Sequence, residues 1–219
     1  MNLIAAATSV VERMPLPDSF TRTSIALLVE RTSRKLQQAD PALGRKFAAG
    51  MADFPIALHT DDANAQHYEL PPTFFSLILG PRHKYSCCLY DNATTMAEAE
   101  DRALEETAEH AGLMDGQRIL ELGCGWGSLT LWMAERFPRS EILAVSNSHP
   151  QRRFIEAAAA RRGLRNVRVQ TADMNSFEAG ARFDRVVSVE MFEHMANWPA
   201  LLVRVHAWLE PQGTLFLHV

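Results

Sequence analysis

The sequence predicts an α/β fold built on a doubly wound, mostly parallel sheet, and three observations carry that expectation. From Thr94 onward short apolar strands alternate with capped helical segments. The first of those strands runs into a glycine-rich turn, Gly123-Cys124-Gly125-Trp126-Gly127, that opens a helix. The 219 residues are also 47% hydrophobic, ample for a packed core. Strands separated by helices pair in parallel through right-handed crossovers, because each helix must return the chain to the same edge of the sheet.

The elements follow in order. Residues 1 to about 65 read as helix and loop, punctuated by Pro15, Pro17, Pro41 and Pro55. Ser19–Gln38 carries Ile25, Leu28, Val29, Thr32 and Leu36 at helical spacing, and Asp40–Ala52 reads as a shorter second helix. Thr95 and Glu98 form a capping box, so a helix starts there and runs to Gly112 as its C-cap. Strands are expected at Arg118–Leu122, Glu141–Ser146, Val167–Thr171, Phe183–Val189 and Thr214–Val219. Between them lie helices at Ser128–Phe137, at Pro199–Leu209 with Asn197 as cap, and from a second capping box, Ser148 with Gln151, to Gly163. As domains, residues 1–66 form an N-terminal helical cap and residues 67–219 the doubly wound domain. A parallel strand ordinarily has neighbours on both sides, so the closing Thr-Leu-Phe-Leu-His-Val reads as a sheet truncated after its fifth strand. The open edge would invite assembly into a homo-oligomer.

Composition excludes several function classes. Twenty-two basic against 26 acidic residues leave a net charge of −4, and a nucleic-acid coat needs an excess of Lys and Arg. No apolar run approaches the roughly 20 residues of a membrane-spanning helix, and the opening MNLIAAATSVV lacks the basic flank of a signal peptide. Three cysteines, with Cys87 and Cys88 adjacent, make no disulfide framework. A cytoplasmic globule is the expectation. The histidines and cysteines show no zinc-ligand spacing, so no metal is expected. The arginines at 152, 153, 161, 162, 165 and 168 read as a solvated face.

A glycine turn between a strand and its helix lets backbone approach a ligand closely, with helix N–H groups aimed at it. Nicotinamide binders use G-x-G-x-x-G and place an acid after the second strand to hold a ribose diol. This chain has G-x-G-x-G and Ser146-Asn147, which argues against a nicotinamide oxidoreductase. A tight turn without a ligand is the ordinary alternative. Phe192-Glu193-His194 lies just beyond the fourth strand, at the carboxyl edge where open α/β sheets bind ligands. There Glu193 and His194 are catalytic candidates, or else a cap and a packed ring.

Four ordered motifs then carry a resemblance: His67-Tyr68-Glu69-Leu70-Pro71, Lys84-Tyr85-Ser86-Cys87-Cys88, Glu121 to Gly127, and Glu190-Met191-Phe192-Glu193-His194-Met195. Together they resemble the S-adenosylmethionine-dependent methyltransferases of the cyclopropane-fatty-acyl-phospholipid synthase superfamily, with the coclaurine N-methyltransferase-like branch nearest. The resemblance covers His67 to Val219 and implies a Rossmann-like class I methyltransferase sheet. It implies S-adenosyl-L-methionine as cofactor, S-adenosyl-L-homocysteine as product and a small amine as acceptor. Tyr85 and Ser86 would meet the methionine end, with Glu121, Gly123, Gly125 and Gly127 beneath it. Ser146, Asn147 and Gln151 would serve the ribose side, although Gln151 also reads as a capping partner. Asp173 and Met174 would frame the adenine, with the main chain at Val189; their ordinary alternatives are a loop turn and core packing.

An amine is protonated at neutral pH and needs a base before it can attack, and imidazole is the side chain that titrates there. The resemblance points to the same pair, with His194 as base and Glu193 orienting it or holding the substrate cation. The alternative branch transfers to an unsaturated lipid and uses a bound bicarbonate as base, whose ligands would match Cys87, Glu193 and His218. A third alternative is a cofactor-binding piece without catalysis.

Overall fold

The computed structural model describes residues 17–58 and 70–219. The opening stretch MNLIAAATSVV, the motif residues His67-Tyr68-Glu69 and the 66/67 boundary lie outside the described residues. Two compact units divide between Ala49 and Gly50. In the first, helix α1 spans Asp18–Gln37 and α2 Pro41–Gly50. The Asp40 carboxylate accepts from the N–H of Ala42 at 2.8 Å and so starts α2.

The second unit opens with a single 3-10 turn, Met51–Asp53, where sequence alone extends the preceding helix. Helix α3, Pro72–Ile78, was not anticipated. Helix α4 spans Met96–His110 on the expected capping box: the N–H of Glu98 donates to Thr95 Oγ1 (3.2 Å) and that of Thr95 to Glu98 Oε2 (3.0 Å). Then follow β1 Arg118–Leu122, α5 Ser128–Arg136, β2 Glu141–Ser146, α6 His149–Arg162, β3 Val167–Thr171 and β4 Phe183–Val189. A 3-10 turn at Phe192–His194, helix α7 at Trp198–Trp208 and strand β5 at Leu209–His218 complete the unit.

The five strands form one sheet in the order β3-β2-β1-β4-β5, every pairing parallel. The order reverses between β1 and β4, which makes the carboxyl ends of those two strands the topological switch point. Period-two alternation covers both faces. Leu120 and Leu122 pack with Leu201, Val205 and Trp208 of α7 on one side. Ile119 packs with Leu104 of α4 and Met133 of α5 on the other.

Two further local expectations needed correction. Strand β5 starts at Leu209 rather than Thr214, because Leu209 already pairs with Phe183 and the register then slips to Thr214 against Arg185. A Cβ at Gly213 would lie 2.8 Å from the Phe183 carbonyl oxygen, so the bulge needs glycine there. The second capping box is half a box. Ser148 Oγ accepts from the N–H of Gln151 (3.4 Å), but the Gln151 side chain turns to Ser146 instead, whose Oγ donates to it at 2.6 Å.

Candidate active site

The turn after β1 is built by left-handed glycines: Gly123, Gly125 and Gly127 have φ of +81°, +52° and +80°. The N–H groups of Gly123 and Cys124 both donate to the Val145 carbonyl, at 2.9 and 3.0 Å, which ties the turn to the end of β2. The three glycines have different reasons. A Cβ at Gly123 would lie 2.6 Å from Met191, and one at Gly127 2.6 Å from Ile155 of α6. A Cβ at Gly125 would meet nothing within 4 Å. Its open face lines a cavity of about 230 Å³ above the switch point.

That cavity brings together eight of the expected residues: Tyr85, Ser86, Glu121, Gly123 and Gly125 on one part of its wall, and Val189, Glu193 and His194 on another. The Phe192–His194 turn is held by its buried Phe192 ring, by Trp198 Nε1 donating to the Phe192 carbonyl (2.7 Å), and by the N–H of His194 donating to Met191 (3.0 Å). An incoming segment clasps the chain just beyond it. The N–H groups of Ala196 and Asn197 donate to the Ile56 carbonyl, and Asn197 Nδ2 donates to that of Phe54. Asn175 exchanges two hydrogen bonds of 3.0 Å with Ala57.

Glu121 is buried at the floor. Loss of solvation pushes its carboxyl up to about 7, against the opposing hydrogen bond from Thr130 Oγ1. Beside it, burial and the Glu121 charge raise the Cys124 thiol, so this cysteine is inert packing.

The segment bearing Tyr85 and Ser86 is pinned by a residue that sequence reasoning missed. Glu100 of α4 is fully buried, and its carboxylate accepts from the backbone N–H groups of Arg82 (2.9 Å) and Lys84 (3.1 Å). Lys84 Nζ donates to Ser86 Oγ. The Arg82 guanidinium bridges Asp101 (2.7 Å) and Glu135 (2.8 Å). Glu190 was also missed as a site residue, although it stands in a quoted motif. It lines the cavity in a left-handed conformation, φ +51°, and sequence carries no signal for that backbone in a non-glycine residue.

The other expected residues lie off this cavity. Ser146 and Gln151 are buried partners of each other, and among the described residues Gln151 Nε2 has no hydrogen-bond partner. Asn147 follows Ser146 at the end of β2. Asp173 opens a turn after β3, its Oδ1 accepting from the N–H of Asn175 at 2.8 Å. Met174 is buried in the core beneath α7. Gly127 caps α5 against Ile155. Cys87, Glu190 and His218 cluster, their potential ligand atoms all within 4.8 Å of one another; the carboxylate of that set is Glu190, while Glu193 stands on the cavity wall.

A parallel sheet of this order, with a left-handed glycine turn and a lined cavity at its switch point, has the fold of the Rossmann-like class I methyltransferases. The profile of the mycolic acid cyclopropane synthetase family matches residues 58–219, and the chain belongs to that family. It is 40% identical to (S)-coclaurine N-methyltransferase of Thalictrum flavum subsp. glaucum over 163 residues, covering 74% of this chain and 45% of that one. It is 32% identical to cyclopropane-fatty-acyl-phospholipid synthase of Escherichia coli (strain K12) over 155 residues, covering 70% of this chain and 39% of the relative. The crystal structure of coclaurine N-methyltransferase bound to N-methylheliamine and SAH superposes with a TM-score of 0.83 at 36% identity, covering 89% of this chain and 59% of that one. The chain thus spans less than half the length of these two sequence relatives. Among the described residues no helix is long and apolar enough to cross a membrane.

Proposed function

We propose that this chain binds S-adenosylmethionine at the carboxyl edge of its sheet and supports methyl transfer to the nitrogen of a small amine. The observation that carries the reading is that the glycine turn and the Glu193–His194 pair line one cavity. The residues present fit the cofactor. Gly125 leaves open space where a side chain would obstruct close approach, and the orphaned Gln151 Nε2 is a donor suited to a ribose hydroxyl. Tyr85 and Ser86 would hold the methionine end above the glycines. Ser146, Asn147 and Gln151 would serve the ribose, and Asp173, Met174 and the Val189 main chain the adenine. When bound, the cofactor supplies an electrophilic methyl carbon and its own leaving group.

The chain's own residues then align the acceptor, exclude water and remove a proton. An ammonium has no lone pair, so His194 accepts its proton while Glu193 orients the imidazole or holds the cation. Glu190 adds a second carboxylate to the same wall, which favours a cationic acceptor. The N-methyltransferase relatives support an alkaloid-like amine. The lipid reading asks Cys87, Glu193 and His218 to hold bicarbonate. It is less favoured because the carboxylate of Glu190 stands beside Cys87 and His218 and opposes an anion.

Calorimetric titration with S-adenosylhomocysteine, paired with transfer of labelled methyl to tetrahydroisoquinoline amines and to unsaturated phospholipid, tests this. The expected result is saturable binding and label on the amine. His194→Ala should lose on the order of 10²–10⁴ in transfer rate with cofactor affinity unchanged. Label on phospholipid alone overturns the acceptor, binding without any transfer overturns the catalytic role, and absence of binding overturns the cofactor.

A further inference from the structure

We propose that Cys87, Glu190 and His218 form a site for a zinc-class divalent cation at the rim of the cavity. The three side chains come from separate segments: one follows the pinned stretch 80–86, one leaves β4, and one ends β5. The sheet holds two of them together. Val189 pairs with His218, and the N–H of Glu190 donates to the His218 carbonyl at 2.8 Å. Glu190 keeps a left-handed backbone, φ +51°, that a non-glycine residue adopts only where its surroundings hold it. In this setting a thiol, an imidazole and a carboxylate present ligand atoms all within 4.8 Å of one another.

Zinc binds thiolate sulfur at about 2.3 Å and imidazole or carboxylate atoms at about 2.0–2.2 Å, so modest side-chain rotations close the set around one ion. The donor types set the selectivity. Thiolate and imidazole favour zinc over magnesium and calcium, which prefer oxygen. The carboxylate turns the pocket from anion to cation preference. Cys87 is exposed and the other two are half-buried. Three protein ligands in so open a place leave a fourth position free, as in exchangeable rather than closed structural sites. Because Glu190 also lines the cavity, an ion here would stand at its mouth. The site stands on its own three side chains, with Glu190 shared with the acceptor wall of the methyl-transfer reading.

Titrating the metal-free chain with Co²⁺ tests it, since a bound thiolate gives a charge-transfer band and a four-coordinate ion gives intense visible bands. The expected result is a saturable one-to-one spectrum that Zn²⁺ bleaches. Cys87→Ser should abolish the charge-transfer band, while Cys88→Ser should keep it. Glu190→Gln and His218→Ala should each weaken affinity by at least about tenfold. Circular dichroism of each variant confirms that loss of metal is not loss of fold, and where His218→Ala unfolds, His218→Gln replaces it. No spectrum at millimolar Co²⁺ overturns the proposal. So does a band that survives Cys87→Ser, or affinity unchanged in both the Glu190 and the His218 variants.

Discussion

Glu121 has no water to ionise into, and that makes stability depend on pH. Its carboxyl rises from an ordinary 4.5 to about 7 on folding, because burial outweighs the Thr130 hydroxyl. Between those values the folded state binds more protons than the unfolded chain, so stability falls as pH rises through the window. The full effect is on the order of 3 kcal/mol, lost progressively from pH ~4.5 to ~7. Urea unfolding of Glu121→Gln across that range should show a flatter pH profile than the parent chain. The same carboxylate, ionised by a cationic ligand in the cavity, should make S-adenosylmethionine bind more tightly as pH rises towards 7. The glycines separate fold from binding at this scale. Gly125→Val meets open space, so it should cost only the left-handed strain, about 1–2 kcal/mol, yet abolish S-adenosylhomocysteine binding in calorimetry. Gly127→Val drives atoms into Ile155 and should lower the melting temperature much more.

At the scale of elements, the cavity wall that carries Tyr85 and Ser86 has little regular structure and depends on α4 for its shape. Glu100→Gln keeps the volume but replaces one acceptor oxygen with a donor, so one backbone N–H of Arg82 or Lys84 is left unsatisfied. An orphaned buried donor costs about 1–3 kcal/mol. Calorimetry should show weakened cofactor binding, and hydrogen exchange should quicken at residues 80–86 while β1 stays protected. The elements that sequence specified well are those with local punctuation. Strands β1 to β4 fall on their expected residues, between caps such as Thr95 and Asn197 and turn glycines such as Gly163. Helix α3 has only seven residues and a proline start, too little for periodicity to register. The Leu209–Gly213 bulge exists only because β4 lies beside it. Contacts across long stretches of sequence, such as Glu100 beneath Arg82 or the left-handed turn of Glu190, leave no local pattern to read.

At the scale of the whole molecule, the topology was legible because helix–strand alternation permits few arrangements. The strand order that sets the glycine turn at the switch point depends on long-range pairing and leaves no local pattern to read. Among the described residues β5 lies at one edge of the sheet. An unpaired edge is a template for another strand, so light scattering of the chain should show association that grows with concentration, and a monomer throughout would count against it.

The clasp of Phe54–Ala57 on the loops that follow β3 and β4 has a temporal side. Ala57 meets Asn175 across 118 positions of chain, and Phe54 meets Asn197 across 143. On a ribosome adding about 5–20 residues per second, the early segment waits on the order of ten seconds for its partners to emerge. Until those loops emerge, Ile56 lacks part of the core it joins, and the growing chain relies on continued translation, or on a chaperone, to keep that stretch from other company.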